Sequence, residues 1–308
     1  MQKPAFDPGL TQQYTGNFRR VINKDGTFNV RRRGATWRDF HPYLHLINAS
    51  WPAFLSIIFS AYLVVNTLFA VVYFSLGRGE LQGTDAPSSF GRFMNDFFFS
   101  AHTLTTVGYG IYAPTGIEAN SVAAFEAMVG LMGFALATGL LFGRVSKPSA
   151  RIGFSPRALV APYQDQSSLQ FRIVNLRSNV LIELQASLLL MTVEGTPLTR
   201  RYTALPLERE RVYFFPLTWT VVHPIDESSP LFGKTPAQLQ ALQAEVLILI
   251  KAFDETFSQT VNARFSYRYD EIEWGAKFSP AFKIDGDGDM ILEVDRVGEF
   301  ARVEAAGR

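Results

Sequence analysis

Residues 95–110 read NDFFFSAHTLTTVGYG, and this stretch decides how the rest of the chain is organised. Its first part, residues 95–106, is moderately apolar, and a helix of about 12 residues is too short to cross a hydrocarbon core ~30 Å thick. We therefore predict a re-entrant helix over residues 95–106, which enters the membrane without crossing it. Gly108 and Gly110 follow at once, and glycine reaches backbone angles that are costly for other residues.

Two long apolar runs flank this segment. Residues 51–76 contain no charged side chain, and residues 119–143 contain one, Glu126. As a helix, the first run would be ~39 Å long at ~1.5 Å per residue, which is enough to span a membrane with some tilt. The second run carries small residues throughout, and these let helices approach closely in lipid. Both runs are predicted to be transmembrane helices.

Basic residues predict the orientation of these two spans. Residues 18–38 carry seven Lys and Arg against one Asp, and the segment after the second span is also basic. The loop over residues 77–118 holds two basic and four acidic residues. Because basic flanks stay on the cytoplasmic side, we expect a multi-pass protein of the cell inner (plasma) membrane with both termini cytoplasmic.

Composition excludes several classes of protein. Hydrophobic residues make up 47% of the 308 residues, charged residues 19%, and the formal net charge is +1. This apolar content excludes overall disorder, and the balanced charge argues against a nucleic-acid partner. The chain has no Cys, so disulfide scaffolds and thiol catalysis are excluded as well.

The C-terminal half has a different pattern from the spans. Short runs with β character recur between turn signals such as Glu194-Gly195-Thr196-Pro197. The runs cover residues 169–175, 182–193, 212–222, 244–252, 261–269 and 290–294. Several short strands at this spacing predict a β-sandwich. Near the N-terminus, residues 21–30 predict a small hairpin with an Asp-Gly turn, and residues 37–46 suit a helix lying in the membrane interface.

Thr105-Thr106-Val107-Gly108-Tyr109-Gly110, after the re-entrant helix, resembles the selectivity filter of potassium channels. A dehydrated K⁺ needs rings of oxygen atoms, and backbone carbonyls of Thr106, Val107, Gly108 and Tyr109 could supply them as the potassium site, with the Thr106 hydroxyl at the inner end. The filter would end at Gly110, and Val107 and Tyr109 would direct their side chains outward. An ordinary Gly-rich turn would also fit these residues alone, but it would not explain their place between two spans. One chain offers one loop where four are needed, which predicts a homotetramer.

The chain resembles the inward-rectifier potassium channels, most closely their prokaryotic branch. Beyond residues 105–110, the resemblance includes Asn23-Lys24-Asp25-Gly26, Lys147-Pro148, and the segments WTVVHPIDESSPL at 219–231 and QTVNARFSY at 259–267. It implies a channel with voltage-independent gating rather than an enzyme, with K⁺ ions in the filter and no organic cofactor. The implied fold is two transmembrane helices with a re-entrant pore helix and filter, followed by a C-terminal all-β immunoglobulin-like sandwich. The expected segments are residues 1–36 with the hairpin, 37–50 as a slide helix, 51–148 as the pore domain, and 149–308 as the cytoplasmic sandwich.

The resemblance also implies roles for residues of the second span. Phe134 falls where eukaryotic strong rectifiers carry an Asp, so the chain lacks that acid. Phe142 falls at the cytoplasmic narrowing, where four rings could form a hydrophobic gate, and Thr138 would line the pore between them. Gly130 and Gly139 fall on proposed hinge positions. The alternative for the two Phe residues is a lipid-facing position or interhelical packing, and the alternative for the two Gly residues is simple close packing.

The resemblance also implies two further groups of residues, one that supports the filter and one that binds lipid. His102 stands where many relatives carry a Glu paired with an Arg, and we expect it to brace the filter through a backbone group or water. Glu126 is expected behind the filter, hydrogen-bonded or protonated. Arg144, Lys147 and Arg151 match basic positions that contact anionic, phosphoinositide-like lipid, with an inhibitory effect expected, although a plain basic flank is an equal alternative.

Two other classes of function fit the sequence less well. A membrane-anchored enzyme would need a catalytic constellation within residues 151–308, and the sequence shows none. A non-selective or Na⁺ channel on the same scaffold is disfavoured by the intact Val107-Gly108-Tyr109-Gly110. Asp285-Gly286-Asp287-Gly288-Asp289 begins like a calcium loop, but Met290 stands where such a loop needs Gly, so a hairpin turn is favoured.

Overall fold

The structure is a computed structural model that describes residues 8–14, 16, 20–31, 33–34, 41–147 and 150–303. It divides into two compact units, each of which is considered by itself. The membrane unit comprises residues 33–147, and the β-rich unit joins residues 1–32 to residues 148–308.

The membrane unit is helical, with one small pair of strands. Its elements are α1 Pro42–Asn48, α2 Trp51–Leu76, β1 Leu81–Gln82, α3 Ser89–Leu104, β2 Ala113–Pro114 and α4 Ile117–Val145, with β1 antiparallel to β2. The helices α2 and α4 are both long and apolar enough to cross a membrane. The predicted pair of spans around a shorter helix is confirmed.

Local signals account for where these helices begin and end. Ser50 caps α2, its hydroxyl accepting from the amide of Ala53, and Gly77 ends the same helix at a φ of 106°. α3 begins earlier than predicted because the Ser88 hydroxyl accepts from the Gly91 amide at 3.0 Å. The interfacial helix α1 begins at Pro42, and residues 37–40 of its predicted range lie outside the described residues.

The three longer helices meet in a small core near one end of the unit. Tyr73 of α2, Phe99 of α3 and Ala119 of α4 are buried together with Leu81. The rings of Tyr73 and Phe99 pack edge to face with centroids 4.9 Å apart. Elsewhere α2 and α4 leave large apolar side chains exposed, as expected of helices that face lipid or another chain.

The β-rich unit contains the remaining strands and one short helix, α5 Pro236–Ala241. The strands are β3 Ile152–Phe154, β4 Ala158–Tyr163, β5 Gln166–Asn175, β6 Leu181–Glu194, β7 Thr199–Leu205, β8 Arg211–Phe214, β9 Thr218–Ile225, β10 Glu245–Asp254, β11 Gln259–Arg268, β12 Ile272–Trp274, β13 Ala276–Phe278, β14 Phe282–Ile284, β15 Met290–Leu292 and β16 Phe300–Arg302.

Two five-stranded sheets form the predicted sandwich. One has the order β11-β10-β6-β7 with β8 also paired to β6, and the other has the order β12-β4-β5-β3 with β9 paired to β5. Their inner faces share one apolar core, in which Phe154 stacks on Phe265 at 4.6 Å and Phe171 lies 5.8 Å from Tyr267. The β-type runs between turn signals predicted the long strands β5, β6, β10 and β11, whereas β4 and β7 were missed.

Some strand boundaries differ from the prediction for clear physical reasons. The run at 212–222 is two strands, β8 and β9, separated at Pro216, which has no amide hydrogen to donate to a sheet. The run at 290–294 keeps only Met290–Leu292 as strand and continues as a 3₁₀ turn over Val294–Gly298. The other three-residue strands were not predicted, because so short a run shows no periodicity.

The predicted N-terminal hairpin is present and docks on the sandwich. Ile22 pairs with Phe28, and Gly26 occupies the turn at a φ of 80°. The guanidinium of Arg20 lies 2.9 Å from the Glu271 carboxylate. The Val21 amide donates to the carboxylate of Glu245, a side chain that is almost fully buried. The hairpin is thus held beside β10 and β11 by charged contacts.

Candidate ion pathway

The filter segment begins where α3 ends, and the pore helix itself holds it. The amides of Val107 and Gly108 both donate to the carbonyl oxygen of His102, at 2.9 and 3.2 Å. The amide of Thr106 donates to the carbonyl of Thr103 at 3.0 Å. These donors point towards α3, so the backbone here is anchored through its N–H groups.

Backbone angles alternate along the filter segment. Thr106, Gly108 and Gly110 have φ values of 59°, 55° and 79°, whereas Val107 and Tyr109 do not have positive φ. A regular strand sends successive carbonyls to opposite sides, and alternating left-handed residues turn them towards one side. The glycines were identified from the sequence, but the left-handed Thr106 was not, because a threonine gives no such signal and its angle costs energy.

The carbonyl oxygens of the filter segment are free of hydrogen bonds within the described part of the chain. Among the described residues, no hydrogen bond is accepted by the carbonyls of Thr106, Val107, Gly108 or Tyr109. Backbone carbonyls are ligands that a desolvated K⁺ prefers, and a column of them on one side of the chain can replace water around the ion. One chain presents one such column, with the Val107 and Tyr109 side chains half or more exposed.

The His102 ring packs against two aromatic rings that follow it in the chain. Its imidazole lies edge to face against the Tyr109 ring at 4.9 Å and stacks on the Tyr112 ring at 6.1 Å. The Tyr112 hydroxyl donates to the side-chain oxygen of Asn95 at 3.4 Å, and Asn95 donates to the Thr84 carbonyl at 3.1 Å. Within the described residues, these contacts of the His102 ring with the filter are aromatic, and its support of the filter through a backbone group or water stays a prediction.

A second support of α3 was not seen in the sequence. Arg92 donates to the carbonyls of Phe74 and Gly77, at 3.0 and 2.7 Å, and its guanidinium lies 4.6 Å from the Phe74 ring. This satisfies carbonyls at the C-terminal end of α2, which lack partners within their own helix. The buried carboxylate of Asp96 lies 3.9 Å from the same guanidinium. A sequence pattern cannot show this, because the groups that accept are backbone atoms.

Glu126 of α4 is hydrogen-bonded to side chains of α2 and α3. Its carboxylate contacts the hydroxyls of Ser100 and Tyr73, the latter at 2.6 Å, and Ser100 also contacts the Asn66 side-chain oxygen at 3.1 Å. All four side chains are at most 1% exposed. Ser100, Tyr73 and Asn66 were missed from the sequence, since isolated polar residues in apolar helices have no local pattern that pairs them.

The second span presents one face that carries the predicted pore-lining residues. Phe134, Thr138 and Phe142 are spaced four residues apart and so share a side of α4. Phe134 and Phe142 are 73% and 72% exposed in the single chain. Phe134 and Thr106 also line the same largely apolar cavity of about 760 Å³, which places this face beside the inner end of the filter.

The two predicted hinge glycines have different surroundings. A Cβ at Gly130 would collide with the carbonyl oxygen of Leu104, the last residue of α3, so glycine is needed there for close packing. Gly139 has no such neighbour within 4 Å in the described chain. The helix α4 runs through both positions without interruption.

The basic residues after the pore face bind the end of the interfacial helix. Arg144 donates to the carbonyls of Leu46, Ile47 and Ala49 at 2.7–3.1 Å, and Lys147 donates to the Asn48 side chain at 2.5 Å. Cationic donors at the C-terminal end of a helix satisfy its free carbonyls and its dipole. Arg151 lies in the β-rich unit, where it is exposed and its own carbonyl accepts from the Leu176 amide.

His223, within the segment at 219–231, is a structural residue. Its Nδ1 lies 2.6 Å from the carbonyl of Pro206 and its Nε2 2.8 Å from the Ser229 hydroxyl. A carbonyl only accepts, so Nδ1 carries the proton and Nε2 accepts from Ser229. Burial lowers the pKa of His223 because the charged ring would lose its hydration.

Comparisons with known proteins agree with this geometry. Residues 152–307 match the family model described as inward rectifier potassium channel C-terminal domain, and residues 56–147 match the model described as ion channel. The inward rectifier potassium channel Kirbac3.1 of Paramagnetospirillum magnetotacticum is 37% identical over 92% of this chain and 96% of its own length. The G protein-activated inward rectifier potassium channel 3 of Mus musculus is 27% identical over 96% of this chain and 80% of its own. The G protein-activated inward rectifier potassium channel 2 of Mesocricetus auratus is 26% identical over 90% of this chain and 70% of its own length.

Proposed function

This chain belongs to the inward-rectifier potassium channel family and conducts K⁺ across a membrane, and from that premise we propose how its residues form and regulate the pore. Four copies surround one axis, and each contributes its Thr106–Gly110 segment. K⁺ is the transported ion, and no organic cofactor and no nucleic acid take part. Both termini lie on the cytoplasmic side of the cell inner membrane, as the basic flanks require.

The filter is the column of carbonyls on Thr106, Val107, Gly108 and Tyr109. The observation that carries this assignment is the pair of amides, on Val107 and Gly108, that donate to the His102 carbonyl. With the amides held against α3 and alternate residues left-handed, the carbonyls are free to face the axis. Four chains then supply rings of oxygens that replace the hydration shell of K⁺, and the Thr106 hydroxyl adds oxygens at the inner end.

The pore continues along α4, and its gate is a ring of Phe142 side chains. Phe134 and Thr138 line the path between the filter and that ring, and Gly139 lies between them and Phe142. A narrow apolar ring holds no stable column of water, so it stops ions without a charged barrier. The exposure of Phe134 and Phe142 on one face of the single chain supports this orientation. Gly130 and Gly139 permit the movement of α4 that opens the ring, with Gly130 held close to α3.

Anionic lipid of the phosphoinositide type inhibits the channel through the basic residues after α4. Lys147 and Arg151 supply exposed positive charge for the headgroups. Arg144 has most of its donors occupied by the carbonyls of α1, so it transmits the effect by holding α1 against α4. The cytoplasmic β-rich unit modulates the same pore.

A flux assay in liposomes tests the proposed function. The purified chain, reconstituted in vesicles loaded with K⁺, should take up external ⁸⁶Rb⁺, and external K⁺ should suppress that uptake more strongly than external Na⁺. Equal suppression by K⁺ and Na⁺ would show a non-selective pore. Phosphoinositide added to the vesicles should reduce uptake, and cross-linking of the reconstituted protein should give a tetramer.

A further inference from the structure

Three helices of the membrane unit are joined by a buried chain of polar side chains. Asn66 and Tyr73 come from α2, Ser100 from α3 and Glu126 from α4. The Ser100 hydroxyl contacts both the Asn66 side-chain oxygen and one oxygen of Glu126, and the other oxygen of Glu126 lies 2.6 Å from the Tyr73 hydroxyl. Buried polar groups in a membrane are costly unless each is hydrogen-bonded. Each contact among these four side chains therefore needs one proton to form a hydrogen bond.

The orientation of Asn66 is set by a backbone carbonyl. Its side-chain nitrogen lies 2.7 Å from the carbonyl oxygen of Tyr62, one turn earlier in α2. That carbonyl can only accept, so the Asn66 amide group directs its NH₂ there and its oxygen towards Ser100. The oxygen of Asn66 has no proton, and the hydroxyl of Ser100 must therefore donate to it.

Counting the remaining protons identifies the state of Glu126. Ser100 has a single hydroxyl proton, and the bond to Asn66 uses it. The contact between Ser100 and Glu126 then needs its proton from Glu126. The Tyr73 hydroxyl supplies the proton for its own contact with the other oxygen of Glu126. Three contacts need three protons, the two hydroxyls supply two, and the third is on the carboxyl group.

The surroundings of Glu126 agree with a neutral group. Among the described residues its hydrogen-bond partners are Ser100 and Tyr73, and neither side chain is positively charged. Glu126 itself has no exposed surface. An ionised carboxylate in a membrane-spanning helix without a paired cation carries a large desolvation cost.

We propose that Glu126 is a neutral carboxylic acid that donates a hydrogen bond to Ser100, and that the chain from Glu126 through Ser100 to Asn66 is a positioning device for the filter. Ser100 lies in the last two turns of α3, just before His102, whose carbonyl holds the amides of Val107 and Gly108. Fixing Ser100 from both flanking helices fixes the depth and rotation of α3. The proposal rests on the filter assignment above and adds residues that touch no ion.

Infrared spectroscopy tests the protonation directly. The full-length wild-type channel in liposomes at neutral pH should show the carbonyl stretching band of a protonated carboxylic acid, and Glu126→Gln should lose that band. Glu118→Gln is the matched control, because Glu118 lies on the exposed first turn of the same helix, and it should retain the band. Identical spectra for wild type and Glu126→Gln in this band would overturn the proton assignment.

The positioning role is tested by measuring ion selectivity. Selectivity is the ratio of the Na⁺ concentration to the K⁺ concentration that halves ⁸⁶Rb⁺ uptake. Glutamine keeps one donor and one acceptor in the shape of a neutral carboxyl, so Glu126→Gln should keep the wild-type ratio within about twofold. Glu126→Ala leaves the Tyr73 hydroxyl without its partner and ties Ser100 to Asn66 alone, so the ratio should fall about tenfold or more, which corresponds to ~1.4 kcal/mol. Tyr73→Phe removes only the phenolic oxygen, so its loss of selectivity should be milder. It is the variant to measure if Glu126→Ala fails to assemble.

Two results would overturn the positioning role. One is a wild-type selectivity ratio in assembled Glu126→Ala or Tyr73→Phe channels. The other is damage from Glu126→Gln equal to that from Glu126→Ala, which would mean that the carboxylate charge is what matters. A failure of the filter assignment would appear differently, because wild-type channels would then show no preference for K⁺ in the same assay.

Discussion

The guanidinium of Arg144, in the last turn of α4, donates a 2.7 Å hydrogen bond to the backbone carbonyl of Leu46, near the end of the interfacial helix α1. The same side chain lies over the Trp51 ring at 4.7 Å, where α2 begins. One cation therefore joins the ends of three helices. Since the helices of a pore must move together when it opens, this contact is where movement of α1 would reach α4.

Replacing Arg144 should loosen this junction. Arg144→Ala removes charged donors from three carbonyls at the end of α1, and hydrogen bonds to charged groups contribute about 1.5–3 kcal/mol when buried. Because the site is partly exposed, we expect a total loss of about 2 kcal/mol, seen as a lower melting temperature of the solubilised channel. Lys147→Ala is the control, since the Lys147 side chain makes a single hydrogen bond among the described residues, to Asn48. Equal melting temperatures for the two variants would contradict the junction.

The lipid response should depend on Lys147 and Arg151. Neutralising both to Gln removes an attraction of ~1 kcal/mol for each charge, so the phosphoinositide dose that halves flux should rise by about 30-fold. Arg157→Gln removes a charge that is paired with Glu273 at 3.2 Å and should leave the dose nearly unchanged. Flux in vesicles of graded lipid content gives both doses. An unaltered dose in the double variant would mean that these residues only set topology.

A side chain at Gly108 should destroy selectivity. Gly108 has a φ of 55°, and alanine there is strained whatever space surrounds it, so the ring of carbonyls should distort. We expect Gly108→Ala tetramers without K⁺-selective ⁸⁶Rb⁺ uptake. Gly286→Ala, in an exposed hairpin turn with nothing within 4 Å, should behave as wild type. Selective uptake through Gly108→Ala would refute the filter assignment.

The ring of Phe142 should control basal flux. Phe142→Ala widens and wets the proposed constriction, so flux per tetramer should rise severalfold, while the preference for K⁺ over Na⁺ should stay because the filter is remote. Leu141→Ala is the matched control, since Leu141 is the neighbouring exposed residue on a different side of α4. If Phe142 instead faces lipid, Phe142→Ala should match Leu141→Ala in flux per tetramer.

Acid should destabilise the sandwich through His223. Burial lowers its pKa in the folded chain below the usual 6.5, so below that pH the unfolded chain binds more protons than the folded one. The unfolding free energy should therefore fall as pH decreases from about 7.5 to about 5.5. His223→Asn, although less stable at neutral pH, should lose less over this range in chemical denaturation followed by tryptophan fluorescence. His45→Asn, on the exposed face of α1, should keep the wild-type dependence.

The local parts of this protein could be predicted without the fold. An uncharged run of residues over 51–76 must leave water, and a helix is the simplest way to satisfy its backbone in lipid. Gly108 and Gly110 mark an unusual backbone because no other residue adopts it so cheaply. Runs of β-type residues between turn signals predicted the long strands β5, β6, β10 and β11, since both signals are local. These features depend on neighbours within a few residues.

The sequence by itself therefore determined the spans, the re-entrant helix, the filter segment and the sandwich, whereas the tertiary structure alone decided how the filter is held. Glu126 meets Ser100 and Tyr73, which lie 26 and 53 residues away, and Arg144 meets carbonyls nearly 100 residues away. A lone polar residue in an apolar helix shows that a partner is needed but not which one. Only the packing of the helices brings donor and acceptor within hydrogen-bonding distance, and that packing is set by many weak contacts along the whole chain.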